Sequence, residues 1–118
     1  MLPYESLKVY QKAFEFNSKV YRYLKSSTQL PAYTKSQLGR ASLSIMLNIA
    51  EGTGRNSPRD KKNFHIIARG SALECSSLIS FLHHEGEIDG KHKEELLSLL
   101  EEISKILYTM IRNLEQKV

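Results

Sequence analysis

"LLSLLEEISKILYTMIRNL", residues 96–114, decides the fold class. Leu96, Leu100, Ile103, Leu107, Met110 and Leu114 recur at alternating steps of four and three, the spacing that keeps side chains on one side of an α-helix. Leu99, Ile106 and Ile111 broaden that line. A stripe this wide is stable only when other helices cover it, so the repeat predicts a last helix over about 91–116 inside a bundle.

Working outward, three more helical segments precede it. Over 6–26 the line Leu7, Tyr10, Phe14, Tyr21, Leu24 is flanked by Val9, Ala13, Phe16, Val20 and Tyr23, with Asn17 on the apolar side needing a partner if buried. Pro31 and the Ser/Thr residues before it break this helix. Over 34–51 the centre "ASLSIMLNIA" has small or apolar residues on every side, so other helices or a second subunit must cover most of its circumference. Over 58–84 the seam expected from spacing is Phe64, Ile67, Leu78 and Phe81, with Ala68, Ser71, Ala72, Cys75, Ile79 and Leu82 beside it. Between these two helices, Gly52 is expected as the left-handed residue after a helix end, and Ser57-Pro58-Arg59-Asp60 as the cap of the next. Glu74 is expected on the seam, hydrogen-bonded to Asn48 or an arginine. "EGEIDG" makes the last turn. Four helices joined by short turns, with no strand pattern, predict an all-α, up-down-up-down four-helix bundle formed by one domain over 1–118.

Charge is distributed unevenly. Residues 1–62 carry eleven Lys or Arg against four acids, and residues 63–118 six against nine, so a +7 half is joined to a −3 half. Such a basic half fits an anionic partner, nucleic acid before others. No run approaches the 18 apolar residues of a membrane helix, the start lacks the pattern of a secretory leader, and the lone Cys75 fits a reducing compartment. A cytoplasmic protein without a membrane role is expected.

Several segments together resemble one family. "SLKVYQKAFEF" at the start, "RASLSIMLNIAEGTGR" from Arg40 to Arg55, Asn63-Phe64, and "ARGSALECSSL" from Ala68 to Leu78 are similar, in order and spacing, to the small bundle proteins named after reading frames in intervening sequences of bacterial 23S ribosomal RNA genes. The most specific part is Asn48 to Gly52 with Gly54-Arg55, followed by Gly70-Ser71 and Glu74; Asn48, Glu51, Gly52 and Glu74 are its structural polar positions. Met46 stands where the family often has proline. The resemblance implies a closed bundle and a ring-like homo-oligomer, with a pentamer as the best-known arrangement. The chain is also similar to the basic accessory bundles of diversity-generating retroelements, which bind nucleic acid and a reverse transcriptase.

Two cationic groups are the candidate nucleic-acid contacts, with RNA favoured. Lys8, Lys12, Lys19 and Arg22 form a stripe on the first helix, and Arg55, Arg59, Lys61 and Lys62 surround the start of the third, where helix N–H groups attract anions. The glycine loop is not a Walker loop, which needs a strand before it and Lys then Ser or Thr after its last glycine. Tyr10, Tyr21 and Tyr23 are expected in the core or at an interface rather than stacked on bases. No metal or cofactor is expected, because no Glu-x-x-His pair is present and Asp89-x-x-His92 falls in a turn. "RDKKNFH" resembles the arginine, five residues, histidine pattern of metal-independent ribonucleases, but along a helix Arg59 and His65 point about 120° apart. A non-enzymatic, oligomeric nucleic-acid-binding bundle is therefore the expected function. A protein-interaction scaffold, with a possible protein partner, is the alternative, followed by the Arg59/His65 ribonuclease.

Overall fold

The amphipathic stripes assemble as their spacing predicts, into four antiparallel helices. In the computed structural model, which describes residues 1–117, a 3-10 turn at Pro3–Ser6 leads into α1 (Lys8–Ser26), α2 (Ala32–Thr53), α3 (Pro58–His84) and α4 (Gly90–Glu115). Each helix packs on two neighbours, α1 on α2 and α4, and α3 on α2 and α4, which closes the up-down-up-down bundle. It measures 46 × 24 × 23 Å, and no strand occurs among the described residues.

Local chemistry sets the helix ends. The Ser57 hydroxyl accepts from the Asp60 N–H at 3.1 Å and Pro58 occupies the first helical position, so α3 begins where the sequence places it. Asp89 caps α4 by accepting from the His92 N–H at 2.8 Å. Gly86, at φ +80°, ends α3 in the left-handed conformation that glycine adopts without a Cβ clash.

Gly52 does not have that role. It lies inside α2, with no positive φ, and is buried. Its need is for closeness: a Cβ there would stand 3.0 Å from His65 Nε2 and 3.0 Å from Phe64 Cβ, so the missing side chain is what lets α2 and α3 meet. The end of α2 is satisfied without a left-handed residue. Lys61 Nζ donates to the Thr53 carbonyl at 3.0 Å, placing a cation at the negative end of the helix.

The core takes one line from each helix: Val9, Ala13, Phe16 and Val20; Leu38, Ala41, Ile45 and Ile49; Ala68, Ala72, Cys75, Ile79 and Leu82; and Leu96, Leu99, Leu100, Ile103 and Leu107. The α4 line matches its repeat. On α1 and α3 the buried line is the one expected to flank the seam, and Phe14, Tyr21, Ile67 and Phe81 lie outside, each at least half exposed. Of the two places expected for the tyrosines, Tyr21 is thereby excluded from the core of the single chain, while Tyr10 and Tyr23 stay half-buried. Where a helix has more apolar residues than its neighbours can cover, spacing alone leaves the phase open between two adjacent lines.

Several polar groups in and beside the interior find partners. Asn17 accepts from the buried Ser42 hydroxyl at 2.6 Å, and the Ser71 hydroxyl donates to Ser44 at 2.8 Å across the α2–α3 seam. Asn48 donates to the Ser44 carbonyl at 2.8 Å. Glu74 is exposed rather than seated on the seam, and it accepts from the Gln37 side-chain amide of α2, not from Asn48 or an arginine.

Two glycines should respond in opposite directions to a methyl group. Gly52→Ala is expected to destabilise the fold by about 1–3 kcal/mol through overpacking against α3. Gly70→Ala, where an added Cβ meets nothing within 4 Å on α3, should stabilise by up to ~1 kcal/mol through helix propensity. Urea unfolding of both variants checks the pair.

Candidate nucleic-acid interface

The cations of α1 divide according to which neighbour they reach. Lys12 and Lys19 lean onto α4, where Lys12 Nζ lies 2.5 Å from Glu102 and Lys19 pairs with Glu95. Hydrogen bonding from these lysines holds both glutamates below the usual carboxylate range. Lys8 and Arg22 are exposed, and among the described residues neither has a carboxylate within 4.0 Å. Arg22 Nη1 donates instead to the Ser18 hydroxyl at 2.9 Å. The four residues therefore do not form one open stripe: two join α1 to α4, and two face solvent.

The group around the α2–α3 turn divides similarly. Arg55 reaches back one turn to Glu51 at 2.6 Å and lays its guanidinium 4.6 Å from the Phe64 ring centroid. Glu51 thus acts as a surface partner of Arg55. Lys61 is committed to the end of α2, and Lys62 stands 3.8 Å from Glu115 at the end of α4. Arg59 alone of the four is exposed with no acid within 4.0 Å among the described residues. The start of α3 offers little bare backbone to an anion, since Pro58 has no N–H and the Asp60 N–H is taken by Ser57. An anion at this end would have to be held by side chains.

The bundle adds cations that the charge groups in the sequence do not point to. Running antiparallel, α4 carries the exposed Arg112 to the same end as Arg59, as the Lys62–Glu115 approach shows. Lys25 is exposed near the end of α1 and unpaired among the described residues. Only the antiparallel order of helices, which was itself predicted, could have drawn attention to Arg112.

The possible catalytic groups are placed apart from one another. His65 is 3% exposed, and neither of its ring nitrogens has a hydrogen-bond partner. Burial first, and Lys61 second, lower its pKa from the usual histidine value. Arg59 faces solvent while His65 lies under Gly52, so the two do not share a site where a phosphodiester could be held and deprotonated. Burial pushes the Cys75 thiol up to about 12, with Glu74 adding to the effect, which suits a core residue rather than a nucleophile.

The outward face of α3 is nearly free of charge, while the exposed apolar side chains of α2 stand beside the exposed Arg40. Ile66, Ile67, Leu73 and Phe81 of α3 are 46–58% exposed, and Leu43 and Leu47 of α2 are 44% and 55% exposed. Between Asn63 and Leu82, α3 carries two charged residues; Arg69 is engaged with α4, through the Ser104 carbonyl at 3.3 Å and the Tyr108 ring, which leaves Glu74. No helix among the described residues is long and apolar enough to cross a membrane.

Fold and surface together define a small all-α bundle protein that presents cations on one helix and one end, and apolar side chains on another face. Residues 5–109 match the family described as 23S rRNA-intervening sequence protein, and the chain belongs to that family. It is similar over 87% of its length to a solved protein of unknown function from the S23 ribosomal protein family of Bacteroides thetaiotaomicron VPI-5482, with 26% identity, a TM-score of 0.81 and 97% of that chain covered. No curated protein matches the chain.

The unpartnered imidazole has a measurable consequence. Above the usual histidine pKa of about 6.5 both folded and unfolded chains hold His65 neutral; below it the unfolded chain takes up a proton that the folded chain resists. Stability should therefore fall as pH drops from 7 to 5, and His65→Leu should flatten that dependence, as read by urea midpoints across the range.

Proposed function

We propose that this protein is a non-enzymatic, oligomeric bundle that binds nucleic acid, with RNA as the favoured partner. The observation that carries the reading is the set of exposed cations without acidic partners among the described residues, which includes Lys8, Arg22, Lys25, Arg40, Arg59, Lys91 and Arg112. A cation held in an ion pair has its charge answered already, whereas these can displace counterions from phosphates. RNA is put before DNA on the association with 23S ribosomal RNA in the family's description alone.

Self-association is part of the reading. An outward helix face holds Ile66, Ile67, Leu73 and Phe81, each about half exposed, and a contiguous apolar group of this kind fits a contact surface. Covering it against a second copy removes that area from solvent and multiplies the cationic surface. With about two phosphates neutralised per subunit, a five-membered ring of the kind the family resemblance implies would release about ten counterions. Affinity for a duplex would then fall by roughly nine decades per tenfold rise in salt. A single copy would bind weakly.

Light scattering coupled to size exclusion, with and without RNA across a salt series, tests both parts. Wild type is expected to run as an assembly that takes up RNA at low salt and releases it at high salt. Lys8→Glu, Arg22→Glu and Arg59→Glu together should abolish uptake while leaving the assembly's mass unchanged; undiminished uptake would refute the placement. Ile67→Glu with Phe81→Glu should yield single copies with weakened RNA binding. Recovery of one dominant protein partner, with no RNA bound at physiological salt, would favour the scaffold instead.

A further inference from the structure

The side chains that missed the core on α1 are aromatic, and they share a face with unpaired cations. Tyr21 is 63% exposed and Phe14 57% exposed, and Tyr10 lies half-buried with its ring centroid 6.3 Å from that of Phe14. Tyr4 extends the row, 4.7 Å from Tyr10. At about 100° per residue, Tyr10, Phe14, Tyr21 and Lys25 fall within roughly 60° of one another around the helix. Arg22 stands beside them, and its bond to Ser18 draws the guanidinium back one turn, to a level along the helix between Phe14 and Tyr21. Glu15, the one acid of α1, lies on the far side of Arg22.

Resting on the proposed nucleic-acid function, we infer that this face binds an unpaired, single-stranded segment, with bases stacked on Phe14 and Tyr21 and phosphates held by Arg22 and Lys25. The charge selects a polyanion, and the aromatic rings select one with open base faces. In a duplex those faces are hidden in the stack, so a duplex can use the cations only. Phe14 and Tyr21 stand about 10.5 Å apart along the helix, roughly three nucleotide steps of 3.4 Å, so both rings can serve one short strand. This departs from the expectation that the tyrosines serve only packing, because the structure leaves Tyr21 and Phe14 outside the core.

The test compares an unstructured uridine 20-mer with an RNA duplex of similar charge, using wild type and the double variant Phe14→Leu/Tyr21→Leu. Leucine keeps apolar contact and helix propensity while removing the ring faces. Wild type is expected to bind the single strand at least tenfold more tightly than the duplex. The variant should lose tenfold or more on the single strand and change less than twofold on the duplex, with unchanged mass by light scattering. The chain has six tyrosines and no tryptophan, so wild-type tyrosine emission should also be quenched by the single strand. Equal binding of strand and duplex by wild type, or single-strand binding by the variant within twofold of wild type, would overturn the inference while leaving the proposed function standing. A fall in the variant's mass would overturn it too, by assigning the face to contact between copies. Failure of wild type to bind either RNA would remove the function, and this inference with it.

Discussion

The width of the shared interior governs the rest of the molecule. Four helices around one axis can bury about one line each, and here those lines include Phe16, Ile45, Ile79, Ile103 and Leu107, all without solvent exposure. The chain has more apolar residues than this space admits. Those that do not fit are grouped: aromatic rings on α1, aliphatic side chains and Phe81 on the outward sides of α2 and α3. The outer chemistry is thus a remainder set by the core, and α4 has little of it because its repeat fits the available space closely.

How far the structure could be read from the chain differs between helices for that reason. The α4 repeat allows one phase, and its buried line follows from spacing. The start of α3 was equally legible, because Ser57 and Pro58 act through local geometry that depends on no distant contact. On α1 and α3 two adjacent lines are both apolar, and the choice between them depends on which neighbour each helix meets, so Phe14 and Tyr21 could not be separated from Phe16 and Val20. Gly52 misled for a related reason. A glycine near a helix end reads as a turn, while its actual partner, His65, lies thirteen residues away on another helix.

The charged residues show the same division. All eight cations were identifiable as residues, but their availability was not, since ion pairing across helices depends on the register between chain segments far apart in sequence. Glu95 and Glu102 take Lys19 and Lys12 out of the solvent-facing set, Glu51 takes Arg55, and the Thr53 carbonyl takes Lys61. Antiparallel order adds Arg112 to the end where Arg59 lies.

The two pairs between α1 and α4 act as a vernier on the bundle. Lys12 and Lys19 are seven residues apart, as are Glu95 and Glu102, and the numbers of each pair add to the same total, so both form at one alignment of the antiparallel helices. Sliding α4 by four residues either way would set Lys19 against Lys91 or Leu99, and Lys12 against Ser98 or Ile106, with neither pair surviving. Each pair, half-buried at its lysine and exposed at its glutamate, contributes little to stability by itself, under ~1 kcal/mol. Their joint effect is on alignment: a greasy repeat of threes and fours would accept several offsets almost equally, and these two lysines single out one.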